Sequence, residues 1–260
     1  MLCVRAATRT NTLALHSLPP PLRRNLRSPF SVRMSASASL PNQIIEHIVL
    51  FKAKADADPS AINTMLRNLN GLATLDSVLH ISAGPIAHCR SSSLTFTHML
   101  HSRYRSKSDL ASYTDDPVHV GVVVNDVKPV VDDVMAVDWV ADDFSGPVAV
   151  PPGAALRLSL LKLKEEAGES GKSEVLGVVR GIKDKFGLIE QLTVGENFSP
   201  ARAKGFSIAS IAVLKGAKEL EALGAESEAA NVEKDKVREF LDEVLVLDYG
   251  LPASVQAASL

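Results

Sequence analysis

Side chains able to move protons are sparse in this chain and concentrate in one stretch. It reads Phe96-Thr97-His98-Met99-Leu100 and then Ala111-Ser112-Tyr113-Thr114-Asp115-Asp116-Pro117-Val118-His119-Val120. Three of the seven histidines fall between its ends. Imidazole and phenol at this density suit acid–base chemistry: the first can take a proton near neutral pH, and the second can donate to an oxygen that gains charge.

Such groups must be carried by elements that aim them. Alternation puts Phe96, His98 and Leu100 on one strand face, and His47 between Ile45 and Val49 on another. The first strand is apolar on both sides, with Ile45, Val49 and Phe51 facing one way and Ile48 and Leu50 the other, so it is covered twice. Asp58 and Pro59 then read as the cap and first residue of a helix with Ile62, Met65, Leu66 and Leu69 on one stripe, which Gly71 helps to end. Val78–Ser82 and Leu94–Arg103 follow as strands. A short helix runs through Leu110, a second begins at Pro117 behind Asp115 or Asp116, and a last strand lies around Met135 to Val140. The order β-α-β-β-α-β is that of a ferredoxin-like α+β unit with a break in its second helix.

The pattern occurs twice at a spacing of 110 residues. His47-Ile48-Val49-Leu50-Phe51-Lys52 aligns with Arg157-Leu158-Ser159-Leu160-Leu161-Lys162, Phe96 with Phe206, Leu110 with Leu220, and Asp138 with Asp248. Two long copies indicate domain duplication rather than a solenoid. The expected organisation is a leader over 1–40, a first unit over 42–141, a turn-rich linker over 142–153, a second unit over 154–250 and a tail over 251–260. Each unit covers one sheet face with its own helices, and the other faces are expected to close against each other as an α+β barrel. The linker is long enough for pairing within one chain or between two.

Composition narrows the setting. The leader holds Arg5, Arg9, Arg23, Arg24, Arg27 and Arg33, with no Lys and no acid before Glu46, which suits an organelle transit peptide. Ala258-Ser259-Leu260 loosely matches the peroxisomal Ser-Lys-Leu address. Without the six leader arginines, 22 basic residues face 30 acidic ones, a balance that repels phosphate backbones and argues against nucleic acid as a partner. Apolar runs are too short to cross a membrane. His98 and His101 point to opposite faces of a strand and cannot chelate together, and His88-Cys89, expected in a loop, has too few companions for zinc.

His47-Ile48-Val49-Leu50-Phe51-Lys52, Phe96-Thr97-His98, Tyr113 followed by Asp116-Pro117-Val118-His119-Val120, and Asp138 at the end of a strand together resemble the stress-response A/B barrel, or dimeric α/β barrel, family. The match is strong over the first copy and weaker over the second. With its leader, the chain resembles the two-domain plant members, which are stress-responsive and associated with peroxisomes, so both peroxisome and plastid stand as expected locations. The resemblance implies self-association, as a homodimer or an intrachain pseudo-dimer, and a ligand cavity in each unit.

One branch of that family comprises polyketide cyclases. By motif, their cavity histidine and tyrosine, which direct an intramolecular aldol condensation, carry over to His119 and Tyr113, and two further cavity histidines to His47 and His98. At the same register the second copy has Arg157, Ile208, Leu223 and Ala229. In such a site His119 would take a proton beside a carbonyl while Tyr113 donates to the oxygen, with no cofactor required. Simpler readings are a buried neutral imidazole at His47 and His98 and a surface ring at Tyr113. The expectation is therefore a protein that binds a small apolar or keto ligand in its first copy, with a cyclase-like enzyme and a structural scaffold with filled barrels as alternatives. The resemblance also implies magnesium on backbone carbonyl oxygens at the end of the first helix, matching Asn70, Ala73, Thr74 and Asp76.

Overall fold

The computed structural model describes residues 43–91, 93–142, 144–225 and 235–252. The leader, Ala229 and the Ala258-Ser259-Leu260 tail lie outside them. The first copy consists of β1 (Ile44–Ala53), α1 (Pro59–Gly71), β2 (Val78–Arg90), β3 (His98–Tyr104), α2 (Lys107–Asp115), α3 (Pro117–Val122) and β4 (Val131–Ala141). The second consists of β5 (Ala155–Leu163), α4 (Gly168–Arg180), α5 (Ile182–Lys185), β6 (Gln191–Glu196), β7 (Ile208–Leu214), α6 (Ala217–Ala225) and β8 (Leu241–Gly250). No described helix is long and apolar enough to cross a membrane.

Local chemistry accounts for the helix starts. Asp58 accepts from the Ser60 amide ahead of α1, and Asp116 accepts from the Val118 amide ahead of α3. Each cap is followed by a proline, whose missing N–H costs nothing in the first turn. Past α3 the chain widens into one π turn, Val123–Val127.

The eight strands form one sheet in the order β4-β1-β3-β2-β8-β5-β7-β6, so each copy repeats the same arrangement and the two join where β2 pairs antiparallel with β8. The outer strands also meet: Trp139 of β4 bridges Asn197, and the Phe198 amide donates to the Asp138 carbonyl. The copies thus close a barrel within one chain. Its interior is a single apolar cluster drawn from both, including Ile48, Leu50, Met99, Leu158, Leu160 and Leu247. The opposite face of β1 and β3, with Ile45, Phe51, Leu100 and Tyr104, packs under the first copy's helices.

Three placements differ from the sequence reading. β2 does not stop near Ser82 but runs to Arg90, which puts His88 and Cys89 in a strand paired with Asp248 and Leu247 rather than in a loop; the second copy supplies the pairing that keeps the extension ordered. β3 starts only at His98. Phe96 therefore lies before the regular alternation and turns into the barrel interior, away from the face that carries His98 and Leu100.

Candidate functional site

The site forms between the outer sheet face of the first copy and its helices. His47 on β1 stands opposite Asp138 on β4 in antiparallel register, so both side chains leave the same face as neighbours. His47 Nδ1 bonds to Asp138 Oδ1, and both side chains are buried. An imidazole whose Nδ1 faces a carboxylate carries its hydrogen there when neutral, which leaves Nε2 as the lone-pair nitrogen. Burial alone would raise the Asp138 carboxyl, but the hydrogen bonds from His47 and Ser199 and the charge of Arg202 outweigh it and hold it below the usual carboxylate range.

Tyr113 and His119 approach from α2 and α3. The Asp116 cap turns the chain between those helices so that the two rings lie 4.4 Å apart, centroid to centroid. His119 Nδ1 lies 3.1 Å from the Thr114 carbonyl oxygen, to which it donates, so here too Nε2 is the uncommitted nitrogen. Burial pushes the His119 imidazole below its ordinary value, with the Thr114 carbonyl opposing, and it is neutral at pH 7. Burial raises the Tyr113 phenol, so it is a neutral donor. Its hydroxyl joins that of Tyr104, which bonds to Ser102 Oγ at 2.9 Å. If this chain runs from Ser102 through Tyr104 to Tyr113, the Tyr113 hydrogen is free to meet a ligand.

His47, Tyr113 and His119 line one cavity of about 650 Å3. Its remaining surface is largely apolar, with Val49, Phe51, Leu100, Val127 and Val134 contributing. His98 shares the sheet face but not the cavity. It opens β3 beyond Leu100, is half-buried, and has Nδ1 2.8 Å from the hydroxyl of Thr97. The four expected residues thus divide into three that meet and one that does not.

Three features escape sequence reasoning. Asp138 is the anchor of His47; the sequence marks it by its place in the family pattern and by its recurrence at the same register in β8, where Asp248 holds Arg157 at 2.8 Å, but not as the partner of His47. Arg202 reaches the first copy's site from the second copy, placing Nη2 3.1 Å from Asp138 Oδ2. Arg90 of the first copy does the reciprocal, 2.6 Å from Asp248. Neither crossing is visible without the barrel. The third is a polar knot inside the barrel: Glu46 accepts from His101 at 2.7 Å, from Arg103 and from Thr193 at 3.0 Å, while Arg103 also donates to Gln191 at 2.7 Å. Burial opposes the Glu46 charge, but Arg103 and His101 hold its carboxyl at about 2.

The stretch expected to bind magnesium lies at the end of α1 and the turn that follows. Both sides of the Asn70 carboxamide are engaged with the Ala83 backbone, Thr74 Oγ1 donates to Gly71, and the Asp76 carbonyl accepts from the Arg105 guanidinium at 2.9 Å. A divalent cation on the Asp76 carbonyl would share that oxygen with the Arg105 guanidinium, which opposes its charge. Among the described residues no group of three or more His, Cys, Asp or Glu side chains could hold a metal.

The chain resembles known proteins in sequence and in fold. A family model described as the Stress responsive A/B Barrel Domain matches residues 45–141 and again 156–251. The chain is 55% identical over 239 residues to a stress-response A/B barrel domain-containing protein of Arabidopsis thaliana, covering 92% of this chain and 90% of that one. It is 42% identical over 215 residues to a second Arabidopsis protein of the same description, covering 82% and 99%. Among solved structures, an anthrone oxidase-like protein superposes with a TM-score of 0.56 at 12% identity over 84% of this chain and 97% of that one, a likeness of fold alone.

Proposed function

Because the chain belongs to the stress-responsive A/B barrel family, whose fold by itself prescribes no chemistry, we propose that its first copy binds a small, mainly apolar molecule bearing a carbonyl or hydroxyl oxygen. One observation carries this reading: within a single apolar cavity, His47 and His119 each have Nδ1 committed elsewhere, to Asp138 and to Thr114, and Tyr113 stands against His119. Polar groups whose orientation is set in advance on an apolar wall give a ligand its pose without an ordering cost.

Native mass spectrometry of the purified full chain, compared with Ala136→Phe, tests it. Ala136 lines the cavity, and a ring there fills the space. The wild type is expected to carry or take up a small molecule that the variant excludes. Identical uptake by both proteins would sink the reading.

The neutral His119 imidazole supports a second reading, proton abstraction from carbon beside a carbonyl. The C–H proton would pass to His119 Nε2, and the electron pair would move onto the carbonyl oxygen, where the Tyr113 hydroxyl donates. Catalysed deuterium exchange into a 1,3-diketone in D2O reads this step directly. His119→Ala is expected to slow it by about a hundredfold or more, and exchange that persists undiminished rejects His119 as the base.

A further inference from the structure

The cavity of the first copy has a rim that the second copy builds. Ala201, Arg202 and Lys204, in the connection between β6 and β7, line it together with Lys128 of the first copy. The cations Arg202, Lys204 and Lys128 stand out in a body that carries more acids than bases. Their surroundings leave capacity to spare. Arg202 is 52% exposed and, among the described residues, spends only Nη2, on Asp138, so its other donors are uncommitted. Lys204 Nζ is 2.9 Å from Asp133, and Lys128 faces no carboxylate of the described residues within ion-pair distance. Asp132 is the rim's remaining acid, and Asp138 is already saturated by His47, Ser199 and Arg202.

The backbone carries a second, independent mark. Lys204, at φ 49°, is the single non-glycine residue in the left-handed region among those described. Gly or Asn would take that conformation at lower cost, and strain of this kind persists where the surrounding structure over-determines it, often at ligand clamps. Gly205 follows at φ 90°, so the connection is bent sharply at the point where it presents its basic side chains to the other copy.

We infer that the ligand of the first copy is an organic acid, its apolar body against the valine-lined wall and its carboxylate at the rim, clamped by Arg202 of the second copy. This rests on the cavity being a ligand site and adds the chemical class of the ligand. A planar guanidinium with donors free matches a carboxylate in two-point geometry, and the apolar wall beneath suits an aliphatic or aromatic body. The second copy, which lacks the His and Tyr set, then contributes to recognition across the barrel seam, and the site is incomplete without it.

Isothermal titration of the full chain with decanoate and with decan-1-ol tests the inference, since the two share a body and differ in the charged end. Decanoate is expected to bind about tenfold more tightly, the yield of a charge-assisted hydrogen-bond pair, and to weaken with added salt while the alcohol does not. Arg202→Gln is expected to bring the acid to the level of the alcohol measured on the same variant, and Arg202→Lys to restore part of the difference. Equal affinity for the two probes, or a preference that survives Arg202→Gln, overturns the inference and leaves the cavity reading standing. Binding of neither probe by wild type overturns both. If Arg202→Gln fails to fold, Lys128→Gln and Lys204→Gln carry the same test at the rim, each expected to reduce the preference about threefold; a preference unchanged in both counts against the clamp.

Discussion

At the scale of residues, the decisive matter is which nitrogen or oxygen of each polar side chain is already spoken for. His47 and His119 are far apart in sequence and sit on different elements, yet the same device orients both: an acceptor takes Nδ1 and leaves Nε2. The barrel interior shows the converse. Nδ1 of His101 and Nε2 of His80 are buried without a partner, and the two rings lie 5.1 Å apart. Burial depresses the His80 imidazole to about 3 from 6.5, and Glu46 is held at about 2 against 4.5. Each group binds fewer protons folded than unfolded, His80 between those values and Glu46 between its own. Stability therefore falls as pH drops below about 6.5, and falls more steeply below about 4.5. Urea midpoints measured from pH 7 to pH 3 are expected to follow that course. His80→Phe should make the upper part shallower, His101 and His119 still contributing to it, with no loss at pH 7, since it removes a polar atom that has no partner; an upper part as steep as in the wild type would assign it to those other groups.

At the scale of elements, two close backbone approaches hold the seams. Gly195 on β6 lies under Trp139 of β4, where an added Cβ would stand 2.7 Å from the indole and 2.7 Å from the Val140 carbonyl. Gly84 on β2 lies under Tyr249 of β8, the corresponding seam, with 3.1 Å of room. Gly195→Ala is expected to cost about 2 kcal/mol by forcing β4 from β6. Gly177→Ala, on α4 with nothing near its Cβ position, should instead stabilise by about 0.5 kcal/mol through helix propensity. Chemical denaturation of the pair provides the contrast, and equal effects would mean the seam is looser than its geometry. How legible such features are depends on their range. The Asp116-Pro117 start of α3 is readable because a cap and its helix are neighbours in sequence. The length of β2 is not, because its last residues are held only by pairing with β8, more than 150 positions away.

At the scale of the whole molecule, the two copies share one core and cannot be separated without exposing it. Interior residues of both belong to one cluster, and the Glu46–Arg103 pair takes Thr193 and Gln191 from the other copy. The described residues accordingly form one compact unit. Unfolding is expected to be a single transition, coincident by far-UV and near-UV circular dichroism. Two resolved transitions would show that the copies retain independent stability.

The sequence alone determined what depends on local pattern and on its repetition: two ferredoxin-like units, their helix caps, the apolar faces of each strand, and the family to which these belong. It also brought His47, Tyr113 and His119 forward as a set, through a resemblance carried by motifs that lie in the first copy. Only the tertiary structure decided that the copies close on each other within one chain, that His98 stands outside the cavity, and that Asp138 and Arg202 stand behind His47. The physical reason is common to all three. A side chain's direction follows from alternation along its own strand, but its neighbours are set by register with other strands and by the seam between the copies, and no residue spacing along the chain records which carboxylate or guanidinium will arrive from the far side of a barrel.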